Sequence, residues 1–170
     1  MGYFDLSYLP NINENLKKRL GYKKIFVIGQ DVFLTNTQNS TARKTIIKSS
    51  DPKRISSALR DSNNIGVLFE DNVLLKKAIE EAGNNDKLVI FSLSDLMGKD
   101  PVQTSRNMNR IKTIMLYAKK FGARMAIITL AARMEDLTSA MQAIALSELL
   151  GMDSESSKKA LSAIGEYIDN

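Results

Sequence analysis

Residues 88–129 read LVIFSLSDLMGKDPVQTSRNMNRIKTIMLYAKKFGARMAIIT. The stretch opens on Leu88-Val89-Ile90-Phe91, a short continuous apolar run of the kind that forms a buried strand. Asp100-Pro101 then starts a helix: the aspartate accepts the free amides of the first turn, and the proline presets the first helical φ. That helix is predicted to run to Phe121 and Gly122, and Ala126-Ile127-Ile128-Thr129 supplies the next strand. Strand, helix and strand therefore follow one another in about 40 residues, the unit from which α/β folds are built.

The same alternation extends in both directions. Towards the N-terminus, strands are predicted at Tyr3-Phe4-Asp5-Leu6, Ile25 to Ile28, Lys44 to Lys48 and Ile65 to Phe69. Helices are predicted from Asn11 to Leu20, stopped by Gly21, from Asp51-Pro52, and from Asn72 to Ala82, stopped by Gly83. Gln30 to Ala42 is rich in Asn, Thr and Gln and reads as a long loop. Towards the C-terminus, Ser139 and Gln142 have capping-box spacing ahead of a helix that ends at Gly151. Asp153 or Ser154 opens a last helix that reaches about Tyr167. Six strands alternating with helices predict an α/β fold with a mainly parallel sheet, in one domain covering residues 1–170. A full eight-stranded barrel takes about 250 residues, so this chain is expected to form a shortened barrel or an open doubly wound sheet.

Composition excludes much chemistry. The chain has 170 residues and neither cysteine nor histidine. That removes zinc fingers, iron–sulfur clusters, thiol nucleophiles, His-based triads and nearly every catalytic zinc site. Lys and Arg number 24 against 19 Asp and Glu, a net charge of +5, which fits a nucleic-acid partner without requiring one. No run of 18 apolar residues is present, and the N-terminal stretch lacks a basic region followed by an apolar one. The expectation is a cytoplasmic protein with no membrane partner. Gly29 follows a strand, but no glycine-rich phosphate loop surrounds it.

Two constellations remain. In the helix after Asp100, Met108, Ile111, Met115 and Ala118 share one face, while Arg106, Arg110, Thr113, Tyr117 and Lys120 share the other. Two arginines one turn apart with a tyrosine in line can grip phosphates and stack a base, and the same spacing fits an ordinary amphipathic helix with a basic outer face. Neither arginine has an acidic residue four positions away within the helix. Further basic clusters are Lys17-Lys18-Arg19 with Lys23 and Lys24, Lys53-Arg54 with Arg60, and Lys119-Lys120 with Arg124. The second constellation is acidic: Asp31, Glu70, Asp71 and Asp95 fall near strand ends, where they either approach one another as a metal site or cap turns and helices.

From Leu88 the chain also carries a specific order of elements. Leu88-Val89-Ile90-Phe91-Ser92-Leu93-Ser94-Asp95-Leu96-Met97 is followed by the arginine-bearing helix, then by Tyr117-Ala118-Lys119-Lys120-Phe121-Gly122. A strand ending Thr129-Leu130-Ala131-Ala132 precedes Asp136-Leu137, Leu149-Leu150-Gly151-Met152-Asp153 and Lys159-Ala160-Leu161-Ser162. This order resembles the archaeal ribonuclease P protein component 3 family, the thirty-kilodalton subunit of the eukaryotic enzyme, over about the last 80 residues. That family is similar to the PHP (polymerase and histidinol phosphatase) barrel, whose first strand has the form D-L-H-x-H. Here Asp5-Leu6-Ser7-Tyr8-Leu9 puts Ser7 and Leu9 at the histidine positions. The family's longer central section is compressed into about Ser50 to Asn85, and Thr138-Ser139-Ala140 stands where an Arg- and Pro-containing turn is common.

The resemblance implies a shortened or incomplete TIM-like (PHP-like) barrel of about six to seven mainly parallel strands. It implies a non-catalytic protein subunit of ribonuclease P, which removes 5′ leaders from precursor tRNA. Catalysis and magnesium would belong to the RNA, with no cofactor on the protein. The partners would be the ribonuclease P RNA and the small ferredoxin-like subunit, in a heterotetramer, with precursor tRNA met indirectly. On this reading the RNA-binding candidates are Arg106, Arg110, Lys120, Lys53, Arg54, Lys17, Lys18 and Arg133. The competing readings are a small phosphoesterase with Asp5, Asp31, Glu70 or Asp95 converging on magnesium, and a protein–protein adaptor without RNA contact.

Overall fold

The caps foreseen in the sequence set the helix starts. Asp51 accepts the Lys53 amide at 2.9 Å, Asp100 accepts those of Val102 and Gln103 at 2.9 and 3.0 Å, and Asp153 accepts that of Ser156 at 2.8 Å. Each such cap stabilises its helix by about 1 kcal/mol. Ser139 and Gln142 form the reciprocal capping box. The computed structural model describes residues 2–36, 43–70, 74–96 and 100–169. Within them the order is β1 (Phe4–Ser7), α1 (Glu14–Leu20), β2 (Lys24–Val27), β3 (Phe33–Thr35), β4 (Thr45–Ser49), α2 (Pro52–Leu59), β5 (Asn64–Phe69) and α3 (Lys76–Asn84). It continues with β6 (Leu88–Ser92), α4 (Pro101–Lys120), β7 (Met125–Ile128), α5 (Ala140–Leu149) and α6 (Ser154–Ile168).

Strands β3-β4-β5-β6-β7 form a parallel sheet in chain order, and β1 pairs with β2, also in parallel. The two sheets meet at both margins. Beyond β7, the Leu130 amide donates to the Leu6 carbonyl at 2.9 Å and Ala131 bridges to Ser7; beyond β2, Ile28 bridges to Val32 ahead of β3. The chain is thus mixed α/β with a five-stranded parallel sheet and helices, consistent with a TIM-like fold.

Alternation along the strands sorts the core into two layers. Ile47, Val67, Val89 and Ile127 face the helices and join Ile55, Ile79, Ile111 and Ile144. Ile46, Leu68, Ile90 and Ile128 face the other way and meet Phe4, Leu6 and Phe26 from the β1–β2 pair in a second cluster. Helix α6 packs on β7 and β1 and adds Ala163 and Ile164 to that inner cluster.

Three local expectations are corrected. The stretch read as a loop from Gln30 contains β3, held to β4 by Phe33↔Thr45 and Leu34↔Ile46 pairing, while residues 37–42 lie outside the described residues. Gly83 does not stop its helix, which continues to Asn84; the predicted start at Asn72 lies outside the described residues, and the helix begins at Lys76. Gly83 is instead a point of close approach, since a Cβ there would come within 2.7 Å of the Phe121 carbonyl oxygen. The first helix begins at Glu14, three residues later than expected, because the Asn13 side chain takes the Leu16 amide and so caps it.

Candidate nucleic-acid interface

Helix α4 is placed as its periodicity required. Ile111, Met115 and Ala118 are buried, Met108 packs against the same cluster, and Arg106, Arg110 and Lys120 are exposed. Two details change its chemistry. Tyr117 is half-buried, stacked on Phe121 with ring centroids 6.0 Å apart, and covered by the Lys76 ammonium at 4.6 Å, so its face is not open to a base. Arg110 has an interaction of its own, which corrects its expected unpaired state.

Asn107 was missed by the charge pattern. It is buried on the apolar face and donates its carboxamide to the Asp95 carbonyl at 2.8 Å, pinning α4 to the turn after β6. An Asn four residues before Ile111, on the core stripe, was the available signal.

The remaining basic candidates divide by their partners. Arg133 bonds Asp136 at 2.9 Å and Glu135 at 3.0 Å; the Asp136 pairing holds its guanidinium pKa above the ordinary value. Arg54 pairs with Asp51 at 3.4 Å, and Lys17 pairs with Glu14. Lys18 lines a shallow hollow with Gly2, Tyr3, Gly21, Tyr22 and Lys23, on a different element from the α2–α4 set. Lys53 lies in a groove of about 390 Å³ between α2 and α3, together with Arg60, Lys77 and Glu81. Since α2 packs on α3 and α3 on α4, the structure places Lys53, Lys77, Arg106 and Arg110 on three consecutive neighbouring helices, with Arg60 at the C-cap of the first. It does not bring Lys17, Lys18 or Arg133 into that series.

Among the described residues the acidic candidates do not gather into one site. Asp5 is fully buried, and both its oxygens are taken by Thr129, one by the backbone amide at 2.6 Å and one by the hydroxyl. Burial pushes its carboxyl up to about 7, against the opposing pull of those two donors. Asp31 takes the Val27 amide at 2.7 Å and so closes the turn after β2. Glu70 is exposed at the end of β5, Asp95 sits in the short 3-10 turn Leu93–Leu96, and Asp71 lies outside the described residues. Among the described residues no three Asp or Glu approach closely enough to share a metal ion.

The surface around α5 has the opposite character. Its hollow is lined by Glu135, Leu137, Thr138, Gln142, Leu146 and Leu149 among others, with no lysine or arginine, and Met141 and Leu149 are exposed. That composition disfavours phosphate. No helix among the described residues is long and apolar enough to cross a membrane.

No protein-family profile and no curated protein matches the chain. A search of solved structures finds a similar chain in the cryo-EM structure of archaeal ribonuclease P with mature tRNA, at 14% identity and a TM-score of 0.70. The likeness covers 98% of this chain and 80% of that one. This chain therefore shares its fold, nearly end to end, with a chain of that structure.

Proposed function

We propose that the chain is a protein subunit of ribonuclease P, of the component 3 type, and that it supports 5′ processing of precursor tRNA. The observation that carries the reading is the near-complete overlay, 98% of the chain at a TM-score of 0.70, on a chain of archaeal ribonuclease P. The component 3 assignment within that enzyme rests on the order of motifs from Leu88 to Ser162, which resembles that family.

On this reading the seven strands form an incomplete TIM-like (PHP-like) barrel. Among the described residues the β1–β2 pair joins the main sheet through isolated bridges, Ser7 to Ala131 and Ile28 to Val32, and through the bonds of Asp5 and Leu6 to Thr129 and Leu130, rather than through a continuous ladder. Asp5, Ser7 and Leu9 stand in the first-strand motif, and Asp5 and Ser7 are spent on structure: Asp5 on Thr129, Ser7 on the Ala131 carbonyl at 2.9 Å. The protein then contributes no catalytic group. The RNA, with its own magnesium, cleaves the substrate in the cytoplasm, and the protein stabilises the RNA through the exposed basic side chains of α2, α3 and α4.

The reading further includes the ferredoxin-like subunit as protein partner, in a heterotetramer. Mixing the two purified proteins at micromolar concentration and measuring their mass by light scattering tests that part. Co-elution as a species of two copies of each, persisting at moderate salt, is the expected result. Separate elution in low salt would remove the partner assignment.

A further inference from the structure

Among the exposed basic residues, those of the α2–α3 groove differ from the rest in how they are held. Lys53 and Arg60 stand on one wall and Lys77 on the other, with Ala78 and Ser56 between them. None of the three has an ion-pair partner among the described residues, whereas the adjacent Arg54 is paired with Asp51. The single carboxylate in the groove, Glu81, accepts the Ser56 hydroxyl at 3.0 Å. Three cations against the one carboxylate leave the groove with a net positive charge, and Glu81 makes no ion pair with any of the three.

Its shape selects among anions. Lys53 and Arg60 are seven residues apart, so their roots are separated by about 10 Å along the helix axis at about 1.5 Å per residue. Successive phosphates of a polynucleotide can each meet one of these side chains in its extended form, whereas one small anion engages all three only if the long side chains converge on it. A guanidinium can also grip a phosphate with two parallel hydrogen bonds.

We propose that the groove between α2 and α3 binds the phosphate backbone of RNA, through Lys53, Arg60 and Lys77. The inference rests on the ribonuclease P reading for the identity of the RNA, but the groove's chemistry is independent of it. The interactions are with backbone and carry no base specificity.

The test measures binding of the 170-residue chain to two labelled probes across a salt series: a transcript of the ribonuclease P RNA from the same source, and an RNA duplex of unrelated sequence. The neutral variant Lys53→Gln/Arg60→Gln/Lys77→Gln is compared with the charge-retaining variant Lys53→Arg/Arg60→Lys/Lys77→Arg, and thermal melts check that both fold. The neutral variant is expected to bind about tenfold or more weakly and to flatten the log–log salt slope by roughly 2 to 3 units, at about 0.9 per phosphate neutralised. The charge-retaining variant should keep most of the binding. Unchanged affinity and slope in a folded neutral variant would overturn the groove and leave the ribonuclease P reading standing. Wild type that binds the transcript no more tightly than the duplex, with the neutral variant weakened on both, would keep the groove and remove that reading. Binding to neither probe would overturn the groove.

Discussion

Asp5 and Thr129 are 124 residues apart in the chain, yet the Thr129 amide and hydroxyl take both oxygens of the buried Asp5 carboxylate. The pairing ties β1 to the end of β7, where Leu130 and Ala131 also bond Leu6 and Tyr8. An acid that resembles the opening residue of a metal-binding strand is here a fastener between two sheets.

That fastener makes stability depend on pH. Burial raises the Asp5 carboxyl from 3.8 to about 7. As pH rises from about 4 to 7 the unfolded chain gives up this proton while the folded chain retains it, so stability falls across that window and levels off above it. Asp5→Asn keeps the shape and removes the titration. Urea unfolding of both proteins from pH 4 to 8 should show wild type losing stability relative to the variant by about 1.4 kcal/mol per pH unit up to pH 7. Carboxylates with lowered values, such as Asp136 and Asp153, act in the opposite direction but cancel in the difference. A constant difference would show that Asp5 titrates as an ordinary exposed acid.

The elements that were legible in the sequence are those fixed by local chemistry. Asp51-Pro52 and Asp100-Pro101 carry both the cap acceptor and the preset φ, and the apolar runs at Ile65 and Leu88 can only be buried. Strand β3 was hidden because Phe33-Leu34-Thr35 is three residues long in a polar setting, and only pairing with β4 defines it. Gly83 carries the composition of a stop signal but serves packing against Phe121, which lies far along the chain beyond β6 and α4. In the candidate interface, exposure was readable from periodicity and partnership was not. The removal of Tyr117 from the basic face depends on Lys76 of another helix, which no spacing within α4 reports.

Gly165 tests the packing of α6 over the β1–β7 margin. A Cβ at this position would come within 2.5 Å of the Phe4 ring. Gly165→Ala forces Phe4 out of its place, and the expected loss is about 1–3 kcal/mol despite alanine's better helix propensity. Equal or higher stability by denaturant unfolding would mean that α6 does not bear on β1 as described.

Arg106 and Arg110 are exposed on α4 and contribute nothing to its buried face. Arg106→Ala with Arg110→Ala should leave unfolding free energy within about 1 kcal/mol of wild type. It should weaken RNA binding and reduce the salt slope by about one unit for each phosphate that is no longer engaged. Lys120→Ala should have a smaller effect, because an ammonium cannot grip a phosphate bidentately. With affinity and slope both unchanged, the face is a solvated one, and Lys53 with its groove neighbours carries the binding alone.

The proposed membership of ribonuclease P is read most plainly in cleavage. The RNA subunit, the other protein subunits and precursor tRNA are combined at limiting magnesium, with and without this chain, and release of the 5′ leader is timed. Adding the chain should accelerate cleavage at the mature 5′ end and lower the magnesium needed, while the chain by itself should cleave nothing. Cleavage that proceeds at the same rate and magnesium requirement whether or not the chain is present would contradict that membership.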